Sequence, residues 1–248
     1  MFWSTKEAAR TLKRFIEMSG YSLHRIRGLG GAYQSIHPYA TYAPWSVDRE
    51  FIAVHEGVRL HTLVDSYRLW ELWRLVEQVI KLPAGDFIEV GVWRGGSGCL
   101  IAKRAELLGN GSQVFLCDTF TGIVKAGPND DHFKGGELAD TAESLVLELA
   151  DQLNVKVQTL KGIFPDQTGD RIEERIFRFG HIDVDVYESA RTCTEWIWPR
   201  LVSRGIIVYD DYGFKGAEGV RKFVDEWATE KDCTFLYNLN GHAIVVKP

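Results

Sequence analysis

FIEVGVWRGGSG, residues 87–98, decides the fold. A β-rich apolar run (Phe87, Ile88, Val90) stops at Gly91, passes Gly95 and Gly96, and enters a helical pattern over 97–108. Strand, glycine turn and helix in that order open a βαβ unit, and open α/β sheets bind ligands at such strand ends. The spacing is not GxGxxG, because Trp93 and Arg94 fill what would be a tight pyrophosphate loop. A ligand without a diphosphate is therefore expected.

The alternation continues outward. Further β-rich runs fall at 113–117, 155–160, 181–185 and 205–210, after the first at 86–91. A helical pattern over 137–152 follows the second run. Ala190, Cys193, Ile197 and Leu201 mark one later helix, and Val220, Phe223, Val224 and Trp227 mark another. Alternation of this kind predicts right-handed crossovers and a mostly parallel sheet covered on both faces. The stretch CTFLYNLNGHAIVV (233–246) instead reads as two strands around a turn at 238–241, an antiparallel hairpin.

The first eighty residues read differently, so an N-terminal helical and lid segment (1–80) is expected before a core at 81–248. Ala8, Leu12, Phe15 and Ile16 share one face of a helix over 5–18. The Gly-, Pro- and aromatic-rich stretch 28–48 carries Tyr33, Tyr39, Tyr42 and Trp45. It is either a lid over a site or a loop whose rings tuck into the core. Residues 59–80, with Leu60, Leu63, Val64, Tyr67, Trp70, Trp73, Val76 and Ile80, predict a largely buried helix.

Composition narrows the class. The chain has 248 residues, 45% hydrophobic and 25% charged, with a net charge of −5. A phosphate-backbone partner favours a basic excess, so a nucleic-acid partner is not expected. No apolar run reaches the length of a membrane span, and the charged start lacks a secretory pattern. Cys99, Cys117, Cys193 and Cys233 are scattered without a CxxC pair, which speaks against a zinc site or a disulfide scaffold. A cytoplasmic protein with no membrane partner is expected.

Three groups of residues carry chemistry. Glu89, inside the first strand, suits a cationic amine or sulfonium. Asp118 ends the second strand, where a carboxylate accepts both ribose hydroxyl protons; an Asx turn in CDTFTG is the plainer alternative. HIDVDVYES places Asp183 and Asp185 two apart at a strand end and hence on one face, and IIVYDDYG places Asp210 and Asp211 at the next strand end. Four converging carboxylates repel one another unless a hard divalent cation joins them, and all-oxygen ligation favours Mg²⁺, Mn²⁺ or Ca²⁺. One of the four is then free to act as a base. The alternative is that Asp185 and Asp211 cap the following helices.

Weaker candidates have plain readings. His181 reads as a core residue or a support to the acids, Lys215 as a solvated lysine, and Asp130, Asp131 and His132 as a surface loop. Arg171, Glu173, Glu174, Arg175 and Arg178 read as a solvated helix.

Together these pieces resemble the macrocin O-methyltransferase family, metal- and S-adenosylmethionine-dependent enzymes that methylate sugar hydroxyls on natural products. The resemblance rests on TYAPWSVDREF (41–51), HTLVDSYRLWEL (61–72), GDFIEVGVWRGGSG (85–98), LCDTFTGI (116–123), LKGIFPDQ (160–167), HIDVDVYES (181–189) and IIVYDDYG (206–213). It runs from about residue 38 to residue 230. It implies a class I methyltransferase (Rossmann-like) fold: α/β, doubly wound, with a mostly parallel seven-stranded sheet, a C-terminal antiparallel hairpin and an N-terminal lid region. It assigns Asp183, Asp210 and Asp211 to Mg²⁺ and Asp185 to the general base. It places S-adenosyl-L-methionine against Thr62, Leu63, Glu89, Gly91, Arg94, Ser97, Asp118 and Phe120.

The sequence departs from the family in a short N-terminal portion, in Val184 where Gly is frequent, and in FPDQTGD (164–170) for Phe-x-Asp-Thr-Leu. The first and third departures bear on the acceptor and the adenine contacts. The implied partner is a small hydroxyl acceptor, a glycoside, and the N-terminal helices and aromatics suggest a homo-oligomer. Two other functions fit parts of the sequence: a nucleotide-sugar glycosyltransferase using Asp183 and Asp185 as a DxD, and a non-catalytic cofactor-binding homologue.

Overall fold

A computed structural model shows how these segments fold, and it describes residues 28–36, 40–109 and 111–248. The helix expected over 5–18, and Tyr39, lie outside the described residues. Packing divides the chain into Met1–His37 and Pro38–Pro248. In the first unit β1 (Gly28–Gly30) pairs antiparallel with β2 (Tyr33–Gln34).

The second unit runs α1 (Arg49–Val58), α2 (Ser66–Val79), β3 (Asp86–Val90), α3 (Gly96–Leu107), β4 (Val114–Asp118), α4 (Glu143–Gln152) and β5 (Gln158–Lys161). It continues with β6 (Phe177–Ile182), α5 (Tyr187–Ile197), β7 (Leu201–Tyr209), α6 (Glu218–Glu230), β8 (Thr234–Tyr237) and β9 (Ala243–Val246). β3 to β9 form one seven-stranded sheet in the order β5-β4-β3-β6-β7-β9-β8. The first five in that order are parallel; β9 is antiparallel to both β7 and β8, giving the expected hairpin. The order reverses between β3 and β6, the switch point at which open α/β sheets bind ligands.

Strand alternation builds two cores. Phe87, Leu116, Phe179, Val208 and Ile244 pack under α1 to α4, whereas Ile88, Cys117, Ile182, Tyr209 and Val245 pack under α5 and α6. The same alternation turns Glu89, His181, Asp210 and His242 toward the α1–α4 layer, in a row across four neighbouring strands. Among the described residues no helix is long and apolar enough to cross a membrane.

Several local expectations need correction. The helix expected over 59–80 starts only at Ser66, because the Asp65 carboxylate accepts the N–H groups of Tyr67 and Arg68 and caps it there. Leu60 and Leu63 lie in the preceding turn and are exposed, as is Tyr67. α1, not foreseen, is capped by the Asp48 carboxylate on the N–H of Phe51. Trp45 packs edge-on to Tyr67 at 5.2 Å beside the core, and Tyr42 is exposed, so the tucked-ring alternative describes Trp45. The mixed-charge stretch is not a solvated helix. Only Gly169–Ile172 forms a short 3₁₀ turn, and Arg178 is buried in β6, donating from Nε to Gly85 O and from Nη1 to Ile80 O.

Candidate active site

The sheet register aligns the strand ends. Gly91 N–H donates to Cys117 O at 3.0 Å, Asp183 N–H to Val90 O at 2.9 Å, and Asp210 N–H to Ile182 O at 3.0 Å. Asp118, Gly91, Asp183 and Asp210 therefore stand on one rim of the sheet, astride the β3–β6 switch point. Gly91 has a φ of 85°, and a Cβ there would lie 1.6 Å from the Asp183 carbonyl oxygen. Only glycine lets the two backbones come this close. Above the rim opens a cavity of about 330 Å³, lined by Thr62, Leu63, Gly91, Ser97, Asp118 and all four of Asp183, Asp185, Asp210 and Asp211.

The acids meet, although not by strand alternation. β6 ends at Ile182, so Asp183 and Asp185 lie in the loop beyond it, and Asp185 takes a left-handed φ of 63°. Carboxylate oxygens of Asp183, Asp210 and Asp211 all lie within 4.8 Å of one another. Asp211 Oδ2 accepts the N–H groups of Val184 at 3.1 Å and Asp185 at 2.8 Å, which fixes this turn. Neither Asp185 nor Asp211 caps a helix. The N–H of Tyr187 at the start of α5 goes to Asp130 Oδ1 at 2.9 Å, and α6 has no side-chain cap.

Burial and mutual repulsion shape the charges. Burial first, then the charges of Asp210 and Asp211, push the Asp183 carboxyl well above the usual range. Burial, with Asp211 and Asp210, pushes Asp185 up to about 9, and burial with Asp210 pushes Asp211 up to about 6. Asp210 goes the other way. Burial alone would raise it, but His181, His242 and Arg68 hold it below the usual carboxylate range. A buried all-oxygen cluster that resists ionisation for want of positive charge is the donor set that a hard divalent cation suits. The residues fit such an ion.

α2 holds Asp210 directly through Arg68 and indirectly through Glu71 and His242. Arg68 Nη1 donates to Asp210 Oδ2, and Glu71, one turn further on, bonds His242 Nδ1 at 2.6 Å while His242 Nε2 bonds Asp210 Oδ1 at 2.8 Å. Asn238 and Asn240 of the hairpin turn donate to the same Glu71 carboxylate. His181 Nε2 stands 3.6 Å from Asp210 Oδ1, and its Nδ1 bonds Glu89 Oε1 at 2.8 Å. His181 is thus a buried support of the acids, as the sequence suggests. Arg68, Glu71 and His242 are not legible as site residues from sequence. Their one local signal is the Arg68–Glu71 spacing on a single helical face, which thousands of surface helices share.

The residues expected to hold the cofactor divide into two groups. Thr62, Leu63, Gly91, Ser97 and Asp118 line the cavity. Glu89, Arg94 and Phe120 do not. Glu89 is fully buried beneath Gly98, whose Cβ would lie 2.3 Å from Oε2, and its Oε1 bonds His181 Nδ1. Arg94 pairs with Asp140 at 2.6 Å and stacks on Trp93, while the Phe120 ring is buried next to the turn. Asp118 makes the Asx turn to Phe120 N–H at 2.7 Å and also accepts the N–H groups of Val92 and Trp93 at 2.7 and 2.8 Å.

Two loop expectations also change. Asp130 is buried, holding Gly127 N–H as well as Tyr187, so it is no part of a solvated surface loop. His132, Phe133, Phe214 and Lys215 reach the cavity wall from loops.

The family profile described as "Macrocin-O-methyltransferase (TylF)" matches residues 55–240. The 8-demethyl-8-(2,3-dimethoxy-alpha-L-rhamnosyl)-tetracenomycin-C 4'-O-methyltransferase of Streptomyces olivaceus is 34% identical over 167 residues, covering 61% of this chain and 62% of that protein. The chain spans between 62% and 65% of the length of the curated relatives it matches. Among solved structures, the O-methyltransferase NovP superposes with a TM-score of 0.64 at 22% identity, over 75% of this chain and 82% of that one. The calicheamicin methyltransferase CalS11 gives 0.65 at 17% identity, over 99% and 94%. These superpositions establish the class I methyltransferase fold. By its sequence over three quarters of its length, the chain belongs to the macrocin O-methyltransferase family.

Proposed function

We propose that this chain transfers a methyl group from S-adenosyl-L-methionine to a hydroxyl of a sugar or glycosylated natural product, with Mg²⁺ as the resident cation. The observation that carries the reading is the meeting of four aspartates with a glycine-turn cleft in one cavity at the switch point. Thr62, Leu63, Gly91, Ser97 and Asp118 form the half of the cavity suited to the cofactor. This use of Gly91 and Asp118 is what a nucleotide-sugar transferase leaves unexplained.

Asp183, Asp210 and Asp211 would hold Mg²⁺, with Mn²⁺ or Ca²⁺ as oxygen-loving substitutes. When bound, such an ion lowers the pKa of an acceptor hydroxyl and orients its oxygen. Asp185, held by its main chain to Asp211 while its side chain lines the cavity, would ionise once a cation's charge offsets the repulsion of Asp211 and Asp210. It would take the hydroxyl proton as the oxygen bonds the methyl carbon and the sulfur–methyl bond breaks to release S-adenosylhomocysteine. His181, His242 and Arg68 hold Asp210 ionised. The name of the rhamnosyl-tetracenomycin relative supports a glycoside as acceptor.

The test is methyl transfer from labelled S-adenosyl-L-methionine to a panel of free sugars, phenols and glycosides, with Mg²⁺ or with excess chelator. The reading expects label on a glycoside or sugar hydroxyl only with Mg²⁺. Full transfer in chelator rejects the cation's part, and label on phenols alone rejects the acceptor class.

A further inference from the structure

The loop 61–65 lines the cavity through Thr62, Leu63 and Val64 and is tied down at both ends. At one end His61 O accepts the N–H of Gly96 at 2.9 Å, at the glycine turn, and a Cβ on Gly96 would meet that carbonyl oxygen at 2.7 Å. Thr62 Oγ1 accepts Val64 N–H at 3.0 Å and stiffens the middle, where Thr62 and Leu63 face the cavity. At the other end stands Arg68, buried with only 7% of its surface exposed. Its Nη2 donates to Leu63 O at 3.2 Å, its Nε to Asp65 Oδ2 at 2.9 Å, and its Nη1 to Asp210 Oδ2. Its guanidinium lies 4.5 Å over the Phe214 ring. All three donating nitrogens are thus engaged, and the planar fork spans from the cofactor-side loop to the acidic rim in one rigid group.

We propose, resting on the methyl-transfer reading above, that Arg68 is a positioning residue that couples the two halves of the cavity. Binding of the nucleoside cofactor against loop 61–65 and binding of a divalent cation at Asp210 then favour each other. Because the bridge is rigid, a ligand that fixes the position of either end fixes the other with it, and the second ligand meets an arrangement already set. Such coupling is reciprocal, so each ligand tightens the other by one shared factor. A purely structural arginine would lower both affinities without changing their ratio.

The experiment measures S-adenosylhomocysteine affinity by calorimetry, in chelator and in saturating Mn²⁺, on the full chain and on Arg68→Met, Arg68→Lys and Asp65→Asn. For the unaltered chain the expected ratio of the two dissociation constants is about five or more, the lower edge of ordinary site–site coupling. Mn²⁺ affinity, read by paramagnetic resonance, shifts by the same factor when S-adenosylhomocysteine is added. Arg68→Met brings the ratio to within about two-fold of unity, and Arg68→Lys does the same because one ammonium cannot span three acceptors. Asp65→Asn keeps the helix cap but removes the ion pair that aims Nε, so it lowers the ratio even if the Arg68 variants fail to fold. A ratio of one in the unaltered chain, or an unchanged ratio in the folded variants, overturns the coupling. An unaltered chain that binds no S-adenosylhomocysteine at all overturns the methyl-transfer reading instead, which separates the two failures.

Discussion

Asp211 holds Asp185 through the main chain: its Oδ2 accepts the Asp185 N–H at 2.8 Å, while the Asp185 side chain stays in the cavity. One acid is spent on placing the other in a left-handed turn, at a φ of 63°. Asp185 can therefore lose its carboxylate without losing the bond that places it.

Asp185→Asn keeps the backbone bond and the side-chain volume and removes the proton acceptor. Turnover should fall by about 100-fold or more, the ordinary weight of a general base. S-adenosylhomocysteine and Mn²⁺ affinities should stay within about two-fold of the unaltered chain, given that the backbone amide that positions the turn is retained. Steady-state kinetics beside calorimetry checks both, and near-normal turnover removes Asp185 from the base role.

The stability of the cation-free protein should fall as pH rises. Asp185 is pushed up to about 9, so the folded chain holds that proton where the unfolded chain releases it in the ordinary carboxylate range. That contribution is complete below the unfolded value and is lost as pH rises through about 9. Asp211, pushed up to about 6, acts with the same sign at lower pH. His181 agrees: burial opposes its charge, but Asp210 and Glu89 outweigh burial and raise it to about 9, so its contribution also fades on the alkaline side. Asp210 has the opposite sign, but it titrates only in acid. Thermal melts in chelator should therefore drop by more than about 5 °C between pH 6 and pH 9. Added Mg²⁺ should flatten the slope, and a flat profile in chelator contradicts the charge balance described for the rim.

Gly91→Ala tests the contact between the strand ends. The new methyl would sit 1.6 Å from the Asp183 carbonyl oxygen, at a φ of 85°. Backbone shift and left-handed strain together should cost about 3 kcal/mol or more. Denaturant titration should show the loss, and any soluble fraction should lose Mn²⁺ affinity because Asp183 is displaced with its carbonyl.

Asp130→Ala should weaken folding without touching the chemistry. The carboxylate caps α5 at Tyr187 and holds Gly127 N–H at 2.9 Å from within a buried loop. Loss of such a cap costs about 1–2 kcal/mol. A fall in Tm with kcat per folded molecule nearly unchanged is the expected result, and a selective loss of kcat would place Asp130 in the active machinery.

The sheet and its acidic rim were legible because both are local patterns. Three of the five β-rich runs end in Gly or Asp (86–91, 181–185 and 205–210) and a fourth (113–117) is followed by Asp118, and Asp183, Asp210 and Asp211 follow from those ends. Asp185 reached the cavity for a different reason than the sequence offers, since period-two alternation stops at Ile182 and the turn on Asp211 takes over. Glu89 lies in β3, one residue before Val90, with its side chain buried in the α1–α4 layer and bonded to His181, a depth that strand parity alone does not report. Arg68, Glu71 and His242 escaped because their partners lie 142, 171 and 32 residues away in sequence, a distance that no local periodicity reports. Arg178 and Asp130 escaped for the complementary reason. A charged side chain reads as solvated until the carbonyls and amides that it serves are known.

The bond from Asp183 N–H to Val90 O, with glycine 91 tucked beneath, has a mechanical consequence. The sheet is two independently wound halves stitched along β3 and β6, and a slip of one residue along that stitch would displace one half by about 3.3 Å. In-line displacement at carbon tolerates far less misalignment than that between attacking and leaving atoms. The bare α-carbon at position 91 thus works as a gauge block, setting the register between the glycine turn on one half and the acidic rim on the other before anything binds.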